Sequence, residues 1–204
     1  MKVVPICYYP PVHWYASVIR EEAVHLEVSQ HYRKQQFTSR CHIKVANRIL
    51  PLTIPVGKRG AKVPIRDKKI SYEVDWQTQH WRSIYSAYRN SPFFEYYEDD
   101  VKGALFTTGL DLTHYLLLQM EGINRMLGMD TRFVLTSEYL EEENYGTDLR
   151  KAFDPSLKRM PTWFTPRAYP QVFGDFVGGL SILDLLFNMG PESRAYLMET
   201  GISI

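Results

Sequence analysis

Cysteine, net charge and long apolar runs are all scarce in this 204-residue chain. Two cysteines, Cys7 and Cys41, cannot build a disulfide framework. Both stand in strand-like runs and read as buried thiols of a reducing compartment. The formal net charge is only +1, with 24 Lys and Arg against 23 Asp and Glu. Such a chain has no overall field to gather nucleic acid or an anionic membrane, so neither is expected as a partner. No apolar run reaches membrane-spanning length, which argues against insertion. Val3-Val4-Pro5-Ile6-Cys7, behind a single lysine, is too short and interrupted for a signal peptide, so the expected location is cytoplasmic. The histidines at 13, 25, 31, 42, 80 and 114 show no HExxH or paired Cys/His spacing, which argues against a metal site. Walker, GxGxxG and GxSxG signatures are missing, and no cofactor is expected.

What is present has the proportions of an ordinary globular chain, 45% hydrophobic and 23% charged, and its length suits one domain over residues 1–204. Aromatics are plentiful at 14%, with 14 Tyr among them. Lys2 to Tyr9 reads as a buried strand that Pro10-Pro11 ends, and Val12 to Glu22 has helical spacing. Val24 to Val28 alternates as a second strand, so the chain begins with a parallel βαβ unit. Ligands in such sheets sit beyond the carboxyl ends of the strands. That places Tyr8-Tyr9-Pro10 beside Ser29-Gln30-His31-Tyr32 as candidate binding loops.

From Phe37 to Val45 the residues alternate strictly, with Thr38, Arg40, His42 and Lys44 on one side. Leu50, Leu52, Ile54 and Val56 share a face in the next run, and Asn47-Arg48 between them reads as a reversal. An antiparallel hairpin follows, with one apolar and one cationic face. The cationic face either meets water or grips a phosphate or carboxylate, for which Arg40 offers a bidentate fork and His42 a titratable group. The approach segment from Gln30 to Gln36, with Tyr32, Lys34 and Gln35, is polar enough to line a ligand.

Further along, Gly57 to Lys69 is a basic segment that reads as a solvated hairpin or lid, and Ile70 to Val74 reads as a strand. Asp75 caps a helix running from Trp76 to about Ser91. His80 lies on its packing face between Trp76 and Trp81, the setting of a core histidine. Thr108 to Leu127 is an amphipathic helix, and Thr131 to Leu135 a strand. Glu138 to Pro166 reads as a long surface loop. Leu180 to Met189 reads as a buried helix whose polar positions are Ser181, Asp184 and Asn188. Ser181 and Asp184 have capping-box spacing; Asp184 and Asn188, one turn apart, either pair inside the core or face a pocket. The fold class is therefore α/β, a mixed sheet with a parallel βαβ start and an antiparallel hairpin, flanked by helices.

Several runs carry a family resemblance. Gln30, Tyr32-x-Lys34-Gln35, Arg40-Cys41-His42-Ile43 and Leu52-Thr53-Ile54-Pro55-Val56 resemble the WbqC-like family of bacterial proteins, as do Trp76-x-x-x-His80-Trp81 and Ser91-Pro92-Phe93-Phe94. The late run Leu180-Ser181-Ile182-x-Asp184-Leu185-Leu186-Phe187-Asn188 matches as well. The family is named for surface-polysaccharide (O-antigen) gene clusters. The resemblance implies the pathway alone, surface-polysaccharide biosynthesis; joined to the anion-binding face of the hairpin, it leads to the expectation of an enzyme, such as a transferase, acting on a phosphorylated or nucleotide-activated sugar. For that role Arg40 and Lys34 are the anion-binding candidates. Tyr9, Gln30, Tyr32, Gln35 and Asp184 are further substrate-binding candidates, and His42, then His80, are candidates for general acid or base. The alternative is a non-catalytic accessory protein that binds a glycan or a partner enzyme through exposed aromatics of Tyr8–Trp14 and Phe93–Tyr97. An oligomer is compatible with either.

Overall fold

The computed structural model describes residues 2–57, 63–139, 141, 144–153, 155 and 160–201. The middle of the basic segment, residues 58–62, lies outside the described residues, as do two acids of the run at 141–143. In chain order, β1 spans Lys2–Pro5, α1 Val12–Val18 and β2 Ala23–Glu27. A hairpin of β3 (Arg40–Val45) and β4 (Arg48–Thr53) comes next. Three helices follow: α2 (Trp76–Tyr88), α3 (Phe94–Leu105) and α4 (Leu112–Met126). Then come β5 (Arg132–Leu135), β6 (Thr147–Asp148), α5 (Ile182–Met189) and α6 (Ser193–Thr200).

β1 is buried at every position, as a strand covered on both faces must be. It pairs in parallel with β2, Val4 opposite Leu26, and on its other side in parallel with β6. β2 pairs in parallel with β5, giving a four-stranded sheet in the order β5-β2-β1-β6. All seven residues of α1 are buried, because the helix packs between this sheet and α5 and α6. Its Trp14 Nε1 donates to the Pro5 carbonyl at 3.0 Å, pinning the crossover against the strand it leaves.

The antiparallel hairpin is present, but its turn is Ala46-Asn47, one residue earlier than Asn47-Arg48, so that Val45 stands opposite Arg48 and His42 opposite Pro51. It forms its own two-stranded sheet, where Pro51 is tolerated because no third strand needs its missing N–H. Backbone bonds tie the hairpin region to the rest: Tyr8 N donates to Phe37 O at 2.8 Å, and Ser181 N to His42 O at 2.9 Å. The architecture is thus α/β, a parallel sheet and an antiparallel hairpin flanked by helices.

Asp75 and Asp111 cap α2 and α4 by accepting from Thr78 N and His114 N. Gly190 closes α5 at φ 53, where an added Cβ would strike the Phe93 ring. Two local expectations fail. Ile70 to Val74 is no strand, only a bridge from Ile70 to Val56. Its Tyr72, Glu73 and Val74 are exposed and have no buried face to drive pairing. Conversely, the stretch from Glu138 to Pro166 is not all loop, since it supplies β6. Among the described residues, no helix is long and apolar enough to cross a membrane.

Candidate functional site

A cleft of about 660 Å³ lies beyond the carboxyl ends of β1, β2 and β6. Pro5 at the end of β1, Ser29 and Gln30 after β2, and Arg150 and Lys151 after β6 all line it. Parallel strands point their last residues at such a crevice, which is where the strand order alone directs a search for a ligand. Polar walls come from His31, Arg33, Gln36 and Thr38, and aromatic ones from Phe37, Tyr139 and Phe153. The lining therefore combines amides, hydroxyls, cations and flat rings, a set suited to a polar ligand carrying negative charge.

A buried ionic network forms the base of the cleft. The fully buried Glu27 accepts from Ser29 N at 2.7 Å and Gln30 N at 3.1 Å, which shapes the turn that carries Gln30. The same Oε1 accepts from Thr136 Oγ1 at 3.1 Å, and Oε2 from Arg150 Nη1 at 3.1 Å. Arg150 also grips Asp148, with Nε at 3.0 and 2.9 Å from its two oxygens and Nη2 at 2.5 Å. The rings of Tyr139 and Tyr145 lie 4.3 and 5.2 Å from the guanidinium carbon. Burial alone would raise the Asp148 carboxyl, but the hydrogen bonds and charge of Arg150 outweigh it and hold the group below its usual range. Hydrogen bonding from Asp148, against a smaller opposing effect of burial, raises the Arg150 guanidinium still further above neutrality. Three strands thus converge on one fixed cation.

Of the candidates named from the sequence, Gln30 lines the cleft. Tyr32, Lys34 and Gln35 belong to the segment that forms its wall, although the lining positions there are the neighbours His31, Arg33 and Gln36. Tyr32 binds Ser39 Oγ at 2.7 Å, with Lys68 Nζ 5.2 Å from its ring centre. Gln35 holds a left-handed φ of 63. His42 meets the wall from behind: its ring lies 5.9 Å from that of Phe37, edge-on at 78°. Burial, then the charge of Arg40, lowers the His42 pKa. Arg40 itself donates from Nε to Thr53 Oγ1 at 3.1 Å.

Tyr9, His80 and Asp184 are not among the lining residues. Tyr9 is buried at φ 38, with no partner for its hydroxyl among the described residues. His80 is buried, its Nδ1 3.0 Å from Tyr8 OH and its ring edge-on to Trp76 at 5.1 Å. Burial lowers its pKa to about 4, against a smaller opposing pull from the Thr53 carbonyl. Asp184 Oδ2 accepts from Tyr169 OH at 2.6 Å and Gln171 Nε2 at 2.7 Å. Burial raises its carboxyl, and those donors only partly offset this. The cationic side of the hairpin is closed at Lys44, which is buried and donates to Gln171 Oε1 at 3.1 Å and to the Asp175 carbonyl, whereas Arg40 at its other end is only partly covered.

Sequence reasoning passed over Glu27, Asp148 and Arg150. The available signal was Glu27 itself, an acid at the last position of the alternating β2 run; Asp148 and Arg150 sat in a stretch whose polarity resembled loop.

A parallel sheet with a polar cleft at its carboxyl edge defines a small α/β protein. The model of the WbqC-like protein family matches residues 7–156 and 157–196, and the chain belongs to that family. A protein of Mycobacterium tuberculosis (strain ATCC 25618 / H37Rv), described as uncharacterized, is 29% identical over 196 residues, covering 81% of this chain and 83% of its own. No solved structure matches the chain.

Proposed function

We propose that the protein is an enzyme that binds a phosphorylated or nucleotide-activated sugar in this cleft and acts on it, as a transferase would, in surface-polysaccharide biosynthesis in the cytoplasm. The observation that carries the reading is the placement of a polar, cation-bearing cleft beyond the carboxyl ends of parallel strands. Arg33, together with Lys34 and Arg40 of the same region, supplies charge for a phosphate, and Gln30 and Gln36 supply amides for sugar hydroxyls. Tyr32 and Gln35, in the segment that walls the cleft, complete the substrate-binding set, whereas the sequence candidates Tyr9 and Asp184 stand outside its lining and take no part in it. His42, behind Phe37, is the candidate to move a proton; His80, buried against Tyr8 and Trp76, is not placed to do so in this cleft.

Calorimetric titration with inorganic phosphate and a panel of nucleotide sugars tests this. Binding should weaken on Arg33→Ala or Arg40→Ala by one to two decades, corresponding to about 1.5–3 kcal/mol for a charge-assisted contact. Arg40→Lys should recover only part of the loss, because an ammonium cannot form a bidentate fork. One observation favours the accessory reading instead. Tyr96 is 75% exposed beside Tyr97 and Asp100 in a second groove of about 470 Å³. If no phosphate or activated sugar binds, that reading replaces the enzyme.

A further inference from the structure

His13, on α1, is 1% exposed, and among the described residues neither of its ring nitrogens has a hydrogen-bond partner. Buried polar groups are nearly always paired, so two orphans on one ring call for a reason. The ring is enclosed by aromatics: stacked on Phe153 at 5.4 Å, with Phe164 at 5.6 Å and Phe37 edge-on at 6.4 Å. Phe37 and Phe153 also line the cleft. His42 approaches the same Phe37 ring edge-on, and its Nδ1 is also buried without a partner among the described residues. Two imidazoles with unmet hydrogen-bonding capacity therefore stand directly behind one wall of the cleft. Two residues before that wall, Gln35 holds a left-handed backbone uncommon for a non-glycine residue, at the end of an exposed segment.

We propose that Phe37 is a movable wall of the cleft, and that His13 and His42 form the inner polar end of the ligand site onto which it opens. Phe37 keeps water from the two rings in the closed form. When it turns aside, their nitrogens can bond hydroxyls of a ligand reaching in from the cleft. That the ligand is a sugar rests on the reading above; the opening does not. Burial lowers the His13 pKa to about 4, so the ring behind the wall is neutral and can both donate and accept at neutral pH.

Site-resolved carbethoxylation of the wild-type protein by diethyl pyrocarbonate tests the opening, with alkylation of the fully buried Cys7 thiol as the marker of global unfolding. Below the unfolding transition, a local opening modifies His13 and His42 at rates nearly independent of urea, while Cys7 reactivity rises steeply with it. Phe37→Ala should raise both histidine rates several-fold. His13 tracking the urea dependence of Cys7 would overturn the proposal. A second arm repeats the labelling with each nucleotide sugar that calorimetry shows to bind. Protection of His13 places it in the ligand site, and a bound sugar that leaves its rate unchanged removes it from there. Absence of any binding sinks the sugar reading alone, since the urea dependence still decides the opening. His13→Leu supplies an independent readout: it removes two unpaired polar atoms, so it should melt no lower than wild type yet bind less. A lower melting temperature with unchanged binding would mean a purely structural histidine.

Discussion

Removing the Arg150 guanidinium would leave Glu27 and Asp148 facing each other at the base of the cleft, one of them fully buried. Breaking a buried ion pair from one side costs about 3–5 kcal/mol, because the remaining charge has no water to turn to. Arg150→Leu should therefore lower the unfolding free energy by that order at pH 7, read from the shift of the urea midpoint at constant m. Its pH dependence follows from the direction of the Asp148 shift. A carboxyl held below its usual range adds stability above an unfolded pKa of about 3.9 and loses it as pH falls through the lower folded value. The variant lacks this contribution. The gap between the two proteins should hold from pH 7 to about pH 4 and narrow as pH falls below that, and a gap that stays constant below pH 4 would refute the account. Little of this network was legible beforehand. Glu27 belongs to an alternating strand pattern that only says one residue in two is covered, whereas its four donors come from residues 29, 30, 136 and 150. Gln30 was legible, because strand order alone places the residues after β2 at the crevice.

At the scale of elements, the segment around Tyr169–Val177 closes the cationic side of the hairpin at Lys44. Gln171 is its hinge pin: Nε2 donates to Asp184 on α5 and to the Val177 carbonyl, while Oε1 accepts from Lys44 on β3 and from Val177 N. Gln171→Leu leaves several buried partners unpaired at once and should cost about 2–4 kcal/mol, against about 1 kcal/mol for Tyr169→Phe, which removes a single hydroxyl. Urea midpoints at constant m separate the two, and equal losses would mean that Gln171 is not central. The elements themselves were largely readable. Alternation gave the hairpin, helical spacing gave α2 and α4, and Ser181 caps α5 by accepting from Leu183 N. Asp184 shows the limit. Its capping-box spacing is real, yet its side chain turns to Tyr169 and Gln171, and Asn188 donates to its backbone carbonyl at 2.7 Å. What covered Lys44 on the hairpin's polar face lay about 130 residues away in sequence, beyond the reach of any local pattern.

For the whole molecule, the buried histidines make acid the vulnerable side. Burial lowers the pKa of both His13 and His80 to about 4, against about 6.5 in an unfolded chain. Between those values the unfolded state binds more protons, so stability falls as pH drops from 6.5 towards 4. Each group can remove about 3 kcal/mol over that window, and the two together approach the whole stability of an ordinary domain. Asp184 acts in the opposite sense. Its raised carboxyl binds a proton more readily folded than unfolded, which favours the fold as pH falls. His42 is lowered in the same sense as His13 and His80, and three histidines against one acid leave the net slope destabilising. The melting temperature should therefore be highest near pH 7 and fall towards pH 4. His13→Leu should remove part of that fall, because its site no longer resists protonation. Melting curves from pH 4 to 8 decide it: a profile as steep in His13→Leu as in wild type would show that His13 is not the group being titrated.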